Sequence, residues 1–182
     1  MPSTNRGIRL TGARVESAFE IGMAIPLLAT CDIAGKDITA DAPLTQRAIA
    51  THVVERQADY YFTVKSNQPA LESDIALLFE KRAAPDFVEV SAPDHGRIQT
   101  RSIWRGTALN AYLDFPHAGQ VVPIERESLE KKTGALSREI ALGITGRTPQ
   151  EASPERVLAV NRGHWSIESV HLAQELKAHS PK

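Results

Sequence analysis

Two acidic residues far apart in the chain, Asp41 and Glu168, are of the type that phosphoryl-transfer chemistry requires. Asp41 stands at the carboxyl end of a short apolar segment, and Glu168 lies in a helical pattern near the C-terminus. Mg²⁺ ions prefer carboxylate oxygens, and two such ions activate the attacking water or 3′-hydroxyl and stabilise the leaving oxygen. The pair alone is weak evidence, because an aspartate in this position is more often a turn or helix-start residue.

The elements around Asp41 predict part of an α/β sheet. Thr45 is a candidate N-cap, and Pro69 suits the first turn of a helix. The predicted elements are a strand over 38–42, a helix over 45–57, a strand ending at Lys65 and a helix over 69–82. Since ligand groups gather at the carboxyl ends of strands in such sheets, Asp41 and Lys65 both stand where a site is expected.

The flanking segments are less regular. Residues 1–20 show no clean period and predict little regular structure, and 22–28 suits a short helix that Pro26 breaks or opens. Residues 86–145 alternate as strands do, with a hairpin turn at 131–134. Between those strands, the segment TALNAYLDFP predicts a short helix over 107–116. A final helical region starts at Ser153, with that serine as its cap.

Composition restricts the class of protein. A chain of 182 residues with 42% hydrophobic content can bury one sizeable core, so we expect one domain or one domain with an insertion. The net charge of -1 neither supports nor excludes a nucleic-acid partner. The single cysteine, Cys31, cannot form an internal disulfide. No apolar run approaches the roughly 18 residues that span a bilayer, so we expect a cytoplasmic protein with no membrane partner.

Several motifs together resemble one protein family. They are TADAPLTQ, YYFTVKSNQP, DHGRIQTR, TALNAYLDFP, IERESLEKKTGALSRE, GITGRTPQEASPERVLA and RGHWSIES. They occur in the order seen in the H-repeat-associated, or ISAs-type, bacterial insertion-sequence transposases of the Asp-Asp-Glu (DDE) superfamily. The resemblance covers about residues 21–169, and so many motifs in one order are far more specific than any single motif.

This resemblance implies both a fold and a site. Asp41, in the D-A-x-x-T-Q motif, corresponds to the second catalytic carboxylate, and Glu168, in H-W-x-I-E, corresponds to the third. Both would bind Mg²⁺ in a two-ion site. The implied fold is an RNase H-like α/β core with a β-rich insertion before the last catalytic helix. The resulting divisions are an irregular segment 1–20, a partial core 21–82, an insertion 83–147 and a C-terminal helical region 148–182.

Double-stranded DNA, as the ends of the mobile element, is the implied partner. Lys65, Asn67 and Gln68 form the family's K-x-N-Q-P motif and are candidates for a phosphate contact, although a strand end followed by a turn explains them equally well. Arginines spaced by four would share one strand face, which could contact phosphates or simply face solvent. These arginines are Arg97, Arg101 and Arg105. Arg162 is a further phosphate candidate, and His164 is expected to contact DNA, to position Glu168 or to pack in the core.

The sequence departs from the family pattern in three places. The family's first Asp, in an Asp-Gly-Lys motif, has no counterpart, because no Asp precedes Asp32. We therefore expect an N-terminally truncated chain that lacks the first strands of the sheet, has an incomplete Mg²⁺ site and is inactive alone. The residues after Glu168 diverge from the family, and Gln99 replaces a usual Glu.

Three other interpretations stay open. The chain could be a catalytically inactive DNA-binding or inhibitory remnant, acting as a homo-oligomer or with a full-length transposase. It could be a pseudogene product with an unpaired sheet edge. Glu168 and His171 match the E-x-x-H element of di-iron bundles, but that site requires a second copy, which this sequence does not contain.

Overall fold

A mixed sheet of seven strands lies at the centre of the protein. The computed structural model describes residues 8–9, 17–80, 83–92 and 96–164. In chain order the elements are β1 (Ile8–Arg9), α1 (Ser17–Ala29), β2 (Asp37–Ala40), a 3₁₀ turn (Ala42–Leu44), α2 (Arg47–Glu55), β3 (Asp59–Val64), α3 (Pro69–Phe79), β4 (Phe87–Val90), β5 (Arg97–Ile103), β6 (Gln120–Glu130), β7 (Leu136–Thr145) and α4 (154–164). In space the strands are ordered β1-β2-β3-β7-β6-β5-β4.

The first three strands are parallel. β1 pairs with β2, and β2 pairs with β3 from Asp37 opposite Asp59 to Ala40 opposite Phe62. Nearly every residue of β2 and β3 is buried, as is typical of parallel strands that are covered on both faces. The predicted α/β class is confirmed for this part of the chain.

The remaining strands are antiparallel. β7 joins β3, and β6, β5 and β4 follow outward. The hairpin between β6 and β7 is confirmed, and Gly134 supplies the left-handed backbone of its turn with a φ of 69°. The sheet continues across the predicted boundary at residues 82 and 83, because the strands of 83–147 extend the same sheet as β2 and β3. The division of the chain into domains stays a prediction.

Alternate residues of the strands supply two cores, one on each face of the sheet. Tyr60 and Phe62 of β3 pack with buried residues of α1, α2 and α3. Tyr61 points to the other face and packs with Val157 and Leu158 of α4. The protein therefore has three layers, with α1, α2 and α3 on one side of the sheet and α4 on the other.

Three local predictions were wrong. Residues 107–116 form turns instead of a helix. This segment is held by side chains that bond to backbone carbonyls, since Asn110 Nδ2 donates to Gly119 O at 2.7 Å and Tyr60 Oη donates to Pro116 O at 3.0 Å. Thr45 does not cap α2, because its hydroxyl donates to the Thr63 carbonyl and Gln46 occupies the cap position.

The third error concerns Pro26 in the N-terminal segment. Within residues 1–20, which were expected to be irregular, the structure describes a strand at Ile8–Arg9 and the start of a helix at Ser17, and the other residues lie outside the described ranges. Helix α1 also continues through Pro26 to Ala29, so the proline neither breaks nor opens it. Burial of Ala24 and Leu28 against the sheet holds the helix together across the missing N–H of that proline.

Candidate functional site

Asp41 lies at the carboxyl edge of the parallel strands. It follows the last residue of β2, and Lys65 follows the last residue of the neighbouring strand β3. The Asp41 backbone is extended, with φ −72° and ψ 165°, and its side chain makes no capping bond to the 3₁₀ turn that follows. The carboxylate is 38% exposed. The strand-end positions predicted for Asp41 and Lys65 are both confirmed.

His164 contacts the Asp41 carboxylate. Its Nε2 lies 2.6 Å from Asp41 Oδ1, although the two residues are 123 positions apart in the chain. When the Asp41 carboxylate is ionised it can only accept, so this hydrogen bond then requires a proton on His164 Nε2. The ring is 1% exposed, so it faces the carboxylate and the protein interior, not bulk solvent.

Two amide side chains hold the segment that follows Asp41. Asn67 Nδ2 donates to the Ala42 carbonyl, and Gln68 Nε2 donates to the Thr45 carbonyl at 2.8 Å. Both residues belong to the turn after β3, so these bonds tie the two strand ends to each other. The predicted phosphate contact of Lys65, Asn67 and Gln68 stays a prediction, and the geometry gives the two amides a role in positioning the Asp41 segment.

Helix α4 is fixed to β2 and β3 at several points. Near its start, Arg156 pairs with Asp37, the first residue of β2, and at its last described residue His164 meets Asp41. Between them, Asn161 Nδ2 donates to Tyr61 Oη at 3.2 Å. The eight-residue step from Arg156 to His164 spans about 12 Å of helix, and the four-residue step from Asp37 to Asp41 spans about 13 Å of strand. This match of lengths lets α4 bring His164 to the strand end.

Asp37 is also the centre of a partly exposed ionic cluster at the amino-terminal ends of β2 and β3. Arg147 Nε donates to Asp37 Oδ1 at 2.8 Å, and its Nη2 lies 2.9 Å from Asp59 Oδ2. The pKa of Asp59 is raised, mainly by burial, with Arg147 opposing that effect. This cluster secures the segment that leads into α4, and Ser153 caps the helix through the Arg156 N–H at 3.3 Å, as predicted.

The arginines predicted to contact DNA lie near carboxylates of β4 and of the segment before it. Arg162 Nη1 lies 2.6 Å from Glu89 Oε1, Arg101 Nη1 lies 3.7 Å from Glu89 Oε2, and the Arg105 backbone N–H donates to Asp86 at 2.8 Å. Arg97, at the start of β5, is exposed and faces Glu130 of β6. Their DNA contacts stay predictions.

Glu168 lies outside the residues that the structure describes, which end at residue 164. Within the described ranges, no group of three or more His, Cys, Asp and Glu side chains is arranged to hold a metal ion. Among the described residues, Asp41 is the carboxylate that could bind a Mg²⁺ ion, because carboxylate oxygens are the ligands that Mg²⁺ prefers. His164 would orient this carboxylate.

The contact between His164 and Asp41 was missed by sequence reasoning. The available signal was the spacing of four residues between His164 and Glu168. Residues four apart lie on the same face of a helix, so a site that includes one of these side chains would lie close to the other. Tyr61 and Asn161 gave no such signal, because a hydroxyl and an amide 100 residues apart leave no local pattern.

Comparison with known proteins supports a transposase family. No protein-family model matches the chain. An "Uncharacterized protein in dhlA 3'region" from Xanthobacter autotrophicus is 33% identical over 142 residues, covering 74% of this chain and 48% of that protein. From Escherichia coli K12, the "H repeat-associated putative transposase YhhI" is 27% identical over 168 residues, covering 85% and 43%. The "H repeat-associated putative transposase YbfD" is 39% identical over 83 residues, covering 43% and 33%.

The chain spans less than half the length of each of these relatives. A solved piggyBac transposase synaptic complex with hairpin DNA covers 95% of this chain and 30% of that chain, with a TM-score of 0.36 and 11% identity. Structural similarity at this level carries no inference about function. In the described ranges, no helix combines the length and the apolarity that crossing a membrane requires.

Proposed function

We propose that this chain is part of a DDE transposase that cuts and joins the DNA ends of an insertion sequence by Mg²⁺-dependent phosphoryl transfer. Asp41 and Glu168 are two of the metal-binding carboxylates in this proposal. The observation that carries it is the 2.6 Å contact between Asp41 and His164. That contact brings the last described residue of α4 to the strand-end carboxylate, and Glu168 follows His164 by four residues in the sequence.

The family names of the relatives support the same chemistry. When bound, Mg²⁺ ions supply activation of the attacking oxygen and stabilisation of the leaving oxygen. The chain's own contribution is to hold carboxylates in place, and His164, Asn67 and Gln68 do this for Asp41 and its segment. An RNase H-like arrangement of β1, β2 and β3, double-stranded DNA as partner, homo-oligomers and a cytoplasmic location belong to the same proposal.

The test measures metal binding, which does not depend on cleavage. Mn²⁺ binding to the full chain is followed by its electron paramagnetic resonance signal in the wild type and in the Asp41→Asn and Glu168→Gln variants. We expect each variant to weaken Mn²⁺ affinity by about tenfold or more, since loss of even an outer-shell partner of a metal has an effect of that size. Asp74→Asn is the matched control, because Asp74 is an exposed carboxylate on α3.

An equal loss of Mn²⁺ affinity in Asp74→Asn, or no loss in Asp41→Asn, would contradict a metal site at Asp41. Gel-shift binding of duplex DNA that persists in EDTA, together with wild-type Mn²⁺ binding in Asp41→Asn, would instead match a DNA-binding remnant without catalysis.

A further inference from the structure

Four charged residues form a continuous row across the antiparallel strands. Glu89 of β4 lies directly opposite Arg101 of β5, Arg101 opposite Arg126 of β6, and Arg126 opposite Glu139 of β7. We call these four residues the charged row. Its two arginines are neighbours in the middle, and its two carboxylates are at the ends. Like charges directly opposite each other in a sheet are destabilising. The central pair, Arg101 and Arg126, therefore lowers stability, and a binding function would explain its presence.

The charged row lies on the face of the sheet that carries α4. Ile103 and Ile124 lie two residues along the strands from Arg101 and Arg126, and residues two apart point to the same face. Both isoleucines are buried in the core that includes Val157 of α4. The row therefore begins where the apolar contact with α4 ends.

Arg162 of α4 adds a third guanidinium above this row. It pairs with Glu89 at 2.6 Å, and Arg101 lies 3.7 Å from the same carboxylate. The pKa of Arg101 is lowered, first by burial and then by the charge of Arg162. Arg126 pairs with Glu139. Three guanidinium groups thus share two carboxylates, and Glu89 is the partner of two of them.

The next row outward on this face is neutral and polar. Gln99, Ser128 and Ser137 lie opposite one another on β5, β6 and β7. Side chains of this kind, beside arginines, match the set that contacts phosphate and sugar oxygens in protein–DNA complexes, and they carry no sequence preference. A strand face with guanidinium groups and neutral polar side chains fits a nucleic-acid backbone better than an apolar protein surface.

We propose that Arg101, Arg126 and Arg162 form a binding site for backbone phosphates of duplex DNA, and that Glu89 is an internal counter-ion which an incoming phosphate displaces. This inference rests on the proposed function for its choice of DNA. The displaced carboxylate leaves Arg101 and Arg162 to a phosphate, whose oxygens accept paired hydrogen bonds from guanidinium groups. Glu89 therefore weakens DNA binding in the resting protein.

The test measures binding of the full chain to a short fluorescein-labelled DNA duplex by anisotropy, in EDTA and at several salt concentrations. We expect Glu89→Gln to bind about two- to fivefold more tightly, because it removes the carboxylate that competes for Arg162, and that ion pair is weak since Arg162 is 53% exposed. Arg162→Gln should bind more weakly and reduce the salt slope by about one.

Glu127→Gln is the matched control for Glu89→Gln. It removes the same charge from the neighbouring strand β6, but Glu127 lies on the opposite face from Arg126 and pairs with Arg138 at 2.5 Å. We expect this variant to bind DNA at most slightly more tightly than the wild type, because only the net charge of the protein has changed. Binding by Glu89→Gln that is no tighter than binding by Glu127→Gln overturns the proposal.

Folding is checked by the thermal transition of each variant. If Glu89→Gln does not fold, Arg126→Gln decides the question, because this side chain is 40% exposed and its loss should reduce the salt slope by about one. An unchanged slope in both Arg126→Gln and Arg162→Gln rejects the site. Because the anisotropy assay contains EDTA, its result is independent of the Mn²⁺ test at Asp41. The phosphate site can therefore be rejected while the metal site is supported, and the reverse also holds.

Discussion

At the scale of single residues, the candidate site depends on how α4 is held above the sheet. Tyr61 is a link in this arrangement, because its ring packs against the residues of α4 and its hydroxyl accepts from Asn161 three residues before His164. The ring can lie there because Gly143 of β7 has no side chain. A Cβ at that position would lie 2.4 Å from Tyr61 Oη and 2.7 Å from Tyr61 Cζ.

We therefore predict that Gly143→Ala destabilises the protein by about 1–3 kcal/mol, the usual cost of overpacking a core. The free energy of unfolding is measured in urea. In a Tyr61→Leu background the same substitution should cost less, because the ring it strikes is absent, and the double-mutant cycle gives this difference directly.

Gly163→Ala is the control for this prediction. A Cβ at Gly163 meets no atom of the described residues within 4 Å, and an alanine in a helix is favoured over glycine by about 1 kcal/mol. This variant should be as stable as the wild type or more stable. Equal costs for Gly143→Ala with and without Tyr61 would show that the clash is not with this ring.

At the scale of elements, strands and the hairpin were predictable, whereas the contacts between elements were not. Alternating apolar residues and Gly134 specify β6 and β7 locally, so the hairpin is visible in the sequence. The turns over 107–116 were mistaken for a helix, because a bond such as Asn110 to Gly119 depends on neighbours that propensity does not record. Asp41 and Lys65 were correctly placed at strand ends because the apolar pattern of each strand, like that of the hairpin, is visible in the local sequence.

The rest of the site depends on pairs that are distant in the chain. Arg147 and Arg156 lie 110 and 119 residues from Asp37, and His164 lies 123 residues from Asp41. Each partner alone looks like an ordinary surface charge or a packed histidine. Only the path of the sheet and of α4 brings them together, so no local pattern could have identified the pairs of Asp37, and the spacing of His164 and Glu168 was the one local sign for the pair at Asp41.

The junction before α4 yields a prediction about pH, because two acids there have pKa values shifted in opposite directions. Burial raises the pKa of Asp59, so its favourable contribution is present when it is protonated and is lost as pH rises through the raised value. The Thr148 backbone N–H and hydroxyl lower the pKa of Glu151, so its contribution is present above the usual value and is lost as pH falls through the lowered value.

We expect the stability of Asp59→Asn relative to wild type to be highest near neutral pH and to fall as the solution is acidified. Glu151→Gln should behave in the opposite way, with its deficit largest near neutral pH and shrinking in acid. Urea unfolding of the three proteins between about pH 2.5 and neutral pH measures both trends, since the ordinary pKa values of carboxyl groups in proteins are about 4 and that of Glu151 is lowered. Parallel profiles for all three proteins would contradict the assigned causes.

At the scale of the whole molecule, the sheet joins a parallel half to an antiparallel half through the single pairing of β3 with β7. The first core also crosses this junction, because Trp104, Phe115 and Val121 of the second half pack with residues of α1, α2 and α3. Neither half covers its apolar face without the other. The described part of the chain should therefore unfold as one cooperative unit.

Unfolding in urea tests this cooperativity with two probes. Trp104 fluorescence, in a Trp165→Phe background, reports the antiparallel half, and far-ultraviolet circular dichroism reports the helices that cover the first core. We expect the two probes to give coincident midpoints. Ile49→Val in α2 should lower both midpoints by the same amount, because shortening a buried isoleucine lowers the free energy of unfolding by about 0.5–1.5 kcal/mol. Because Ile49 lies in the other half from Trp104, a shift seen by circular dichroism and not by fluorescence would show two independent folding units, with a boundary near the one predicted at residues 82 and 83.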